Sequence, residues 1–139
     1  MTAFKRILVG VDGSDNSLRA ARKGADIATF FHAAIVLLYV IQPTESAYYT
    51  GMPTTEEAER AKGEEKLYRA KIACEEAGLV PELKVMLGNP AEVLLDHSRQ
   101  GYDLVVVGTR GIGALAAFLM GSVSIRVVQL SKAPVMVVP

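Results

Sequence analysis

The run Ala34-Ile35-Val36-Leu37-Leu38-Tyr39-Val40-Ile41 contains no charged or strongly polar residue. A strand with one wet face alternates apolar and polar side chains. An uninterrupted run is what a strand buried on both faces requires, as in parallel sheets covered by helices. This segment therefore calls for a sheet with a helical layer on each side.

The remaining elements fit that demand. Ile7-Leu8-Val9-Gly10-Val11 reads as a first strand that ends at Asp12-Gly13-Ser14. Ser14 suits a helix cap, and Leu18, Ala21, Ala25 and Ala28 recur at helical steps, which predicts a helix over 15–31. Residues 42–53, with Pro43, Gly51 and Pro53, carry no clear period and read as a loop. Thr54 and Glu57 stand at capping-box spacing, and Leu67, Ala70, Cys74 and Ala77 supply an apolar stripe before Gly78 stops the helix. Gly63 weakens the middle of that helix by ~1 kcal/mol relative to alanine. Glu82 to Leu87 alternates, as a less buried strand at a sheet edge would. Asn89-Pro90-Ala91-Glu92 is a strong helix start, with Leu94, Leu95 and Ser98 facing inward. A fourth strand over Asp103–Val107, a helix over Ser122–Leu130 and a fifth strand over Pro134–Val138 complete the chain. The expected fold is α/β: a single domain over 1–139, with an open parallel five-stranded sheet, right-handed crossovers and helices on both faces.

Fifteen basic residues balance fifteen acidic ones, so the chain lacks the charge footprint of a nucleic-acid or anionic-membrane binder. No stretch approaches the length of a membrane span, and residues 1–6 lack a signal-peptide apolar segment, so a cytoplasmic location is expected. Cys74 has no disulfide partner in the chain and reads as a small buried hydrophobe. His32 closes the first helix and His97 lies in the third; neither has the spacing of a zinc site.

Gly108-Thr109-Arg110-Gly111-Ile112-Gly113 follows the fourth strand and is answered by Gly121-Ser122. Such a turn and a following helix N-terminus offer backbone amides to a phosphate. The competing reading is a tight loop whose glycines serve geometry alone. A P-loop is excluded, because no Gly-Lys-Ser or Gly-Lys-Thr follows, and the order of the glycines argues against a dinucleotide cofactor. In open parallel sheets ligands gather beyond the carboxyl ends of the strands. Asp12-Gly13, Val40 to Pro43 and Gly108 to Gly113 all converge on that edge.

Gly108, two residues, Gly111, nine residues, then Gly121-Ser122 matches the phosphate motif of the universal stress proteins, and the chain resembles their ATP-binding branch. The opening Ile7 to Ser14 and the ending Ala133-Pro134-Val135-Met136-Val137-Val138 fit the same family, whereas Gln129-Leu130-Ser131-Lys132 departs from it. The resemblance implies a Rossmann-like fold of the adenine nucleotide α-hydrolase type, with bound ATP and a magnesium ion beside the phosphates. It places adenine near Val11, Asp12 and Val40, and phosphates between Gly108, Arg110, Gly111, Gly113 and Gly121, Ser122, Val123, Ser124.

Asp12 can accept from a ribose or hold a cation, or it can cap its own turn. Arg110 can pair with phosphate or remain a solvated cation. Ser124 can reach phosphates or stand as an exposed first-turn serine. No general base is evident, so hydrolysis or autophosphorylation is expected to be slow at most. Two functions follow: an ATP-responsive stress or signalling module, or an interaction protein of the same fold without nucleotide. The apolar last strand, with nothing after it to cover its edge, suggests a homodimer through that edge, and the resemblance points the same way.

Overall fold

Ser14 accepts the Ser17 amide at 3.2 Å and Asn89 accepts the Glu92 amide at 3.2 Å, so two of the three side-chain caps expected from sequence start helices. The computed structural model describes residues 4–42, 56–110 and 120–139. In chain order it contains β1 (Arg6–Gly10), α1 (Asp15–Phe31), β2 (Ala34–Ile41), α2 (Glu56–Glu76), β3 (Glu82–Leu87), α3 (Pro90–Ser98), β4 (Leu104–Gly108), α4 (Ser122–Leu130) and β5 (Val135–Val138). Thr54, the expected cap of α2, lies outside the described residues.

The five strands form one sheet in the order β3-β2-β1-β4-β5, and every neighbouring pair is parallel. One face carries Ile7, Val9, Ile35, Leu37, Tyr39, Leu104 and Val106 under Ala21, Ala25 and Ala28 of α1 and Leu67, Ala70 and Cys74 of α2. The opposite face carries Leu8, Val36, Leu38, Val40, Val105 and Val107 under Leu94 of α3 and Val127 of α4. β2 alternates between these two layers, which is why its sequence shows no polar alternation. β3 is an edge strand, as its mixed pattern implied, and β5 is the other edge.

Helix ends follow local chemistry. Gly78 adopts φ +84, and its amide bonds the Glu75 carbonyl while the Leu79 amide bonds that of Cys74, closing α2. The helix ends at Glu76, so Ala77 is exposed and does not extend the apolar stripe. His32 closes α1 in the left-handed conformation at φ 55. Cys74 is fully buried, and burial, with Glu75 alongside, pushes its thiol up to about 11.

β1 and β4 are each shifted by one residue from expectation, and β5 begins one residue later, at Val135. Asp103 lies outside β4, and its carboxylate accepts the Lys5 amide at 2.8 Å and the Arg6 amide at 3.0 Å, tying the entry of β4 to β1. Gly108 belongs to β4 and pairs with Val138.

Candidate functional site

β1 and β4 are adjacent in the sheet, but their connections leave on opposite sides, β1 toward β2 and β4 toward β5. A crevice opens at such a reversal of strand order, beyond the carboxyl ends. The residues that follow these two strands therefore define the candidate site: Val11 to Ser14 on one side and Gly108 to Arg110 on the other.

The first wall is a tight turn. Val11 is buried, and its amide extends the ladder to the Leu38 carbonyl at 2.9 Å. Asp12 Oδ1 accepts the Ser14 amide at 2.8 Å, and Gly13 takes φ +87, a conformation that favours glycine. The Asp12 amide donates to Ser17 Oγ at 3.3 Å, while that hydroxyl donates to the Ser14 carbonyl at 3.0 Å. Asp12 thus has the turn-capping role considered from sequence, at the mouth of the crevice. Val40 lies near the end of β2 with its side chain in the α3–α4 layer and its register partner at Met86.

The second wall begins at Gly108. A Cβ there would stand 2.8 Å from Asn16 Cβ and 3.0 Å from the Asn16 carbonyl carbon. Glycine at this position lets the end of β4 lie against the first turn of α1, a packing reason that holds whether or not a ligand approaches. Thr109 and Arg110 follow, both partly buried. Gly111 and Gly113 lie outside the described residues.

Gly121 is the N-cap of α4, with φ −69 and ψ 159. Its amide donates to the Thr109 carbonyl at 2.6 Å, which brings the start of α4 back to the end of β4. A glycine cap supplies no side-chain acceptor, and the first intrahelical bond runs from the Ile125 amide to the Gly121 carbonyl. The first-turn amides of Ser122, Val123 and Ser124 have no intrahelical acceptor, so among the described residues this terminus is open to an anion. Ser122 is exposed and Val123 partly so. Ser124 is buried, not an exposed first-turn serine, and its hydroxyl donates to the Gly108 carbonyl. Arg126 stays at the surface and pairs with Glu92 of α3 at 2.6 Å.

The structure thus brings Val11, Asp12, Gly108, Arg110, Gly121, Ser122, Val123 and Ser124 to two neighbouring strand ends. Asn16, Arg19 and Thr109 were not anticipated. Asn16, in the first turn of α1, is only 8% exposed, and its Nδ2 donates to Thr109 Oγ1 at 2.9 Å. Among the described residues, no cluster of three or more His, Cys, Asp or Glu could cage a metal, and no helix is long and apolar enough to cross a membrane.

The model of the Universal stress protein family matches residues 3–139. A universal stress protein of Thermus aquaticus is 36% identical over 141 residues, which cover 97% of this chain and 98% of that one. The solved structure of hypothetical protein MJ0577 is similar with a TM-score of 0.84 at 25% identity, covering 99% of this chain and 96% of that chain. A universal stress protein crystallised in complex with cAMP is similar with a TM-score of 0.74 at 28% identity, covering 99% and 98%.

Proposed function

This chain belongs to the universal stress protein family, and we propose that it is an ATP-binding stress or signalling module with at most slow hydrolysis or autophosphorylation. The observation that carries the reading is the open α4 N-terminus, held at the end of β4 beside the β1–β4 reversal of strand order. Adenine and ribose would lie toward Val11, Asp12 and Val40. The phosphates would lie beside Gly108, Gly111, Gly113 and Gly121 and meet the free first-turn amides of Ser122, Val123 and Ser124, with Arg110 as a charged partner. A similar protein that binds cAMP supports an adenine nucleotide as the ligand class.

Magnesium fits this arrangement only as a phosphate-borne ion. Asp12 lies at the crevice mouth, and its Oδ1 accepts the Ser14 amide. When bound, the ion would offset clustered phosphate charge, and Asp12 could supply one oxygen ligand. The chain's own contribution is binding and orientation through backbone donors. No residue described at the site stands as a general base, so nucleotide occupancy is proposed to act on loop conformation and a partner surface. The module is proposed to work in the cytoplasm as a homodimer paired through β5.

A second reading has a specific observation behind it. Gly108 is required by its contact with Asn16, and the Ser124 hydroxyl is engaged by the Gly108 carbonyl, so part of the motif has a purely structural use. An interaction protein of the same fold without nucleotide would keep both. Calorimetric titration of nucleotide-stripped protein with ATP and magnesium separates the two. Saturation near one ATP per chain is expected; no heat at two temperatures up to millimolar ATP would make the interaction protein the correct account.

A further inference from the structure

The turn after β1 and the exit of β4 are joined by side chains that lie outside the glycine motif's fixed positions. Asn16 Nδ2 donates to Thr109 Oγ1 at 2.9 Å, and Asn16 Oδ1 accepts from Arg19 Nη2 at 3.1 Å. Both ends of this buried amide are therefore engaged, as burial of a polar group demands. Thr109 is held by its backbone as well: its amide donates to the Val138 carbonyl at 2.8 Å, and its carbonyl accepts the Gly121 amide at 2.6 Å. Arg19 Nε donates to the Pro139 carbonyl at 2.8 Å, tying the same group to the end of β5.

The chain of contacts runs in one direction from α1 to α4. A side chain on α1 holds Thr109, and the Thr109 carbonyl holds the residue that starts α4. Resting on the nucleotide reading above, we propose that Asn16 and Thr109 are positioning residues, a latch that sets the spacing between the Asp12 turn and the phosphate-facing start of α4. The latch touches neither base nor phosphate. It orients amides that only a phosphorylated ligand uses, so it discriminates ATP from adenosine. A ligand that spans both walls needs their separation fixed, while adenosine alone needs only the wall formed by β1 and β2.

The test compares dissociation constants for magnesium ATP and for adenosine across Thr109→Val, Thr109→Ser and Asn16→Ala, with circular dichroism to verify folding. Thr109→Val and Asn16→Ala are expected to weaken ATP by about tenfold, the size of one lost buried hydrogen bond, and to leave adenosine within about twofold. Thr109→Ser restores ATP affinity, because it keeps the hydroxyl. Equal weakening of both ligands, or ATP affinity unchanged in both Thr109→Val and Asn16→Ala, overturns the latch while leaving ATP binding intact. Absence of ATP binding by the wild-type chain overturns the nucleotide reading itself, and the latch with it. Where Thr109→Val does not fold, Asn16→Ala carries the comparison.

Discussion

A Cβ placed on Gly63 would stand 2.5 Å from Val85 Cγ1 and 2.7 Å from Val85 Cγ2. Gly63 lies within α2 and Val85 on the edge strand β3, so this bare helix position lets the helix settle onto the outermost strand. Because both valine methyls meet the added carbon, and a β-branched side chain has few χ1 alternatives, rotation does not clear the overlap. Overpacking costs about 1–3 kcal/mol, and alanine returns ~1 kcal/mol of helix propensity. Gly63→Ala is therefore expected to destabilise the protein by about 1 kcal/mol in urea unfolding. In a Val85→Ala background the same change is expected to stabilise, and a double-mutant cycle without that reversal would overturn the contact's role.

Gly108→Ala meets a stiffer obstacle. Its Cβ would press on the Asn16 backbone at 3.0 Å as well as on Asn16 Cβ at 2.8 Å, and backbone yields less readily than a side-chain tip. Nucleotide-free Gly108→Ala is expected to lose about 1–3 kcal/mol of stability. Because α1 begins at the Asp12 turn, the displaced helix also weakens ATP binding. A variant with wild-type stability and weakened ATP would show that the glycine serves ligand approach and not packing.

The parts of this fold legible in sequence are those set by neighbours along the chain. The unbroken apolar run of β2, the caps at Ser14 and Asn89 and the edge position of β3 each follow a local rule and appear as expected, whereas the alternation of β3 stops at Val85, because Leu87 is exposed. The open start of α4 was legible for the same reason, since Gly121 is its cap. Asn16 and Thr109 meet across 93 positions, and Asp103 reaches Lys5 across 98, so no window along the chain contains either contact. Gly63 was only half legible for a related reason: helix propensity records what glycine forfeits locally, and its packing against Val85 is a tertiary fact.

Asp103 gives the fold a pH-sensitive tie. Hydrogen bonds from the Lys5 and Arg6 amides hold its carboxyl below the ordinary carboxylate value, with the charges of those residues adding to the effect. A carboxyl whose folded pKa lies below its unfolded one supplies stability above the unfolded value, and that stability is lost as pH falls through the folded one. Asp103→Asn is expected to lower the thermal midpoint at neutral pH, and the gap from wild type is expected to narrow as pH drops below about 4. Midpoints of both proteins between pH 7 and 2 test this; a gap that stays constant would show that the carboxylate charge is irrelevant.

The proposed dimer has a test built into the register of β5. The Val105 amide donates to the Pro134 carbonyl, and the Thr109 amide to that of Val138. In a parallel ladder alternate residues turn both backbone groups the same way, so Pro134, Met136 and Val138 address β4 while Val135 and Val137 point theirs outward. Proline at an edge position with an outward amide removes no bond within the sheet. Val137→Pro is therefore expected to keep its thermal midpoint within a few degrees when measured as a monomer, yet to lose edge-to-edge pairing. Sedimentation at micromolar protein should show a wild-type dimer and a Val137→Pro monomer. A wild-type monomer would remove the edge-strand dimer, and a dimer in both would move the interface away from β5, toward the exposed Ile125 and Val128 of α4.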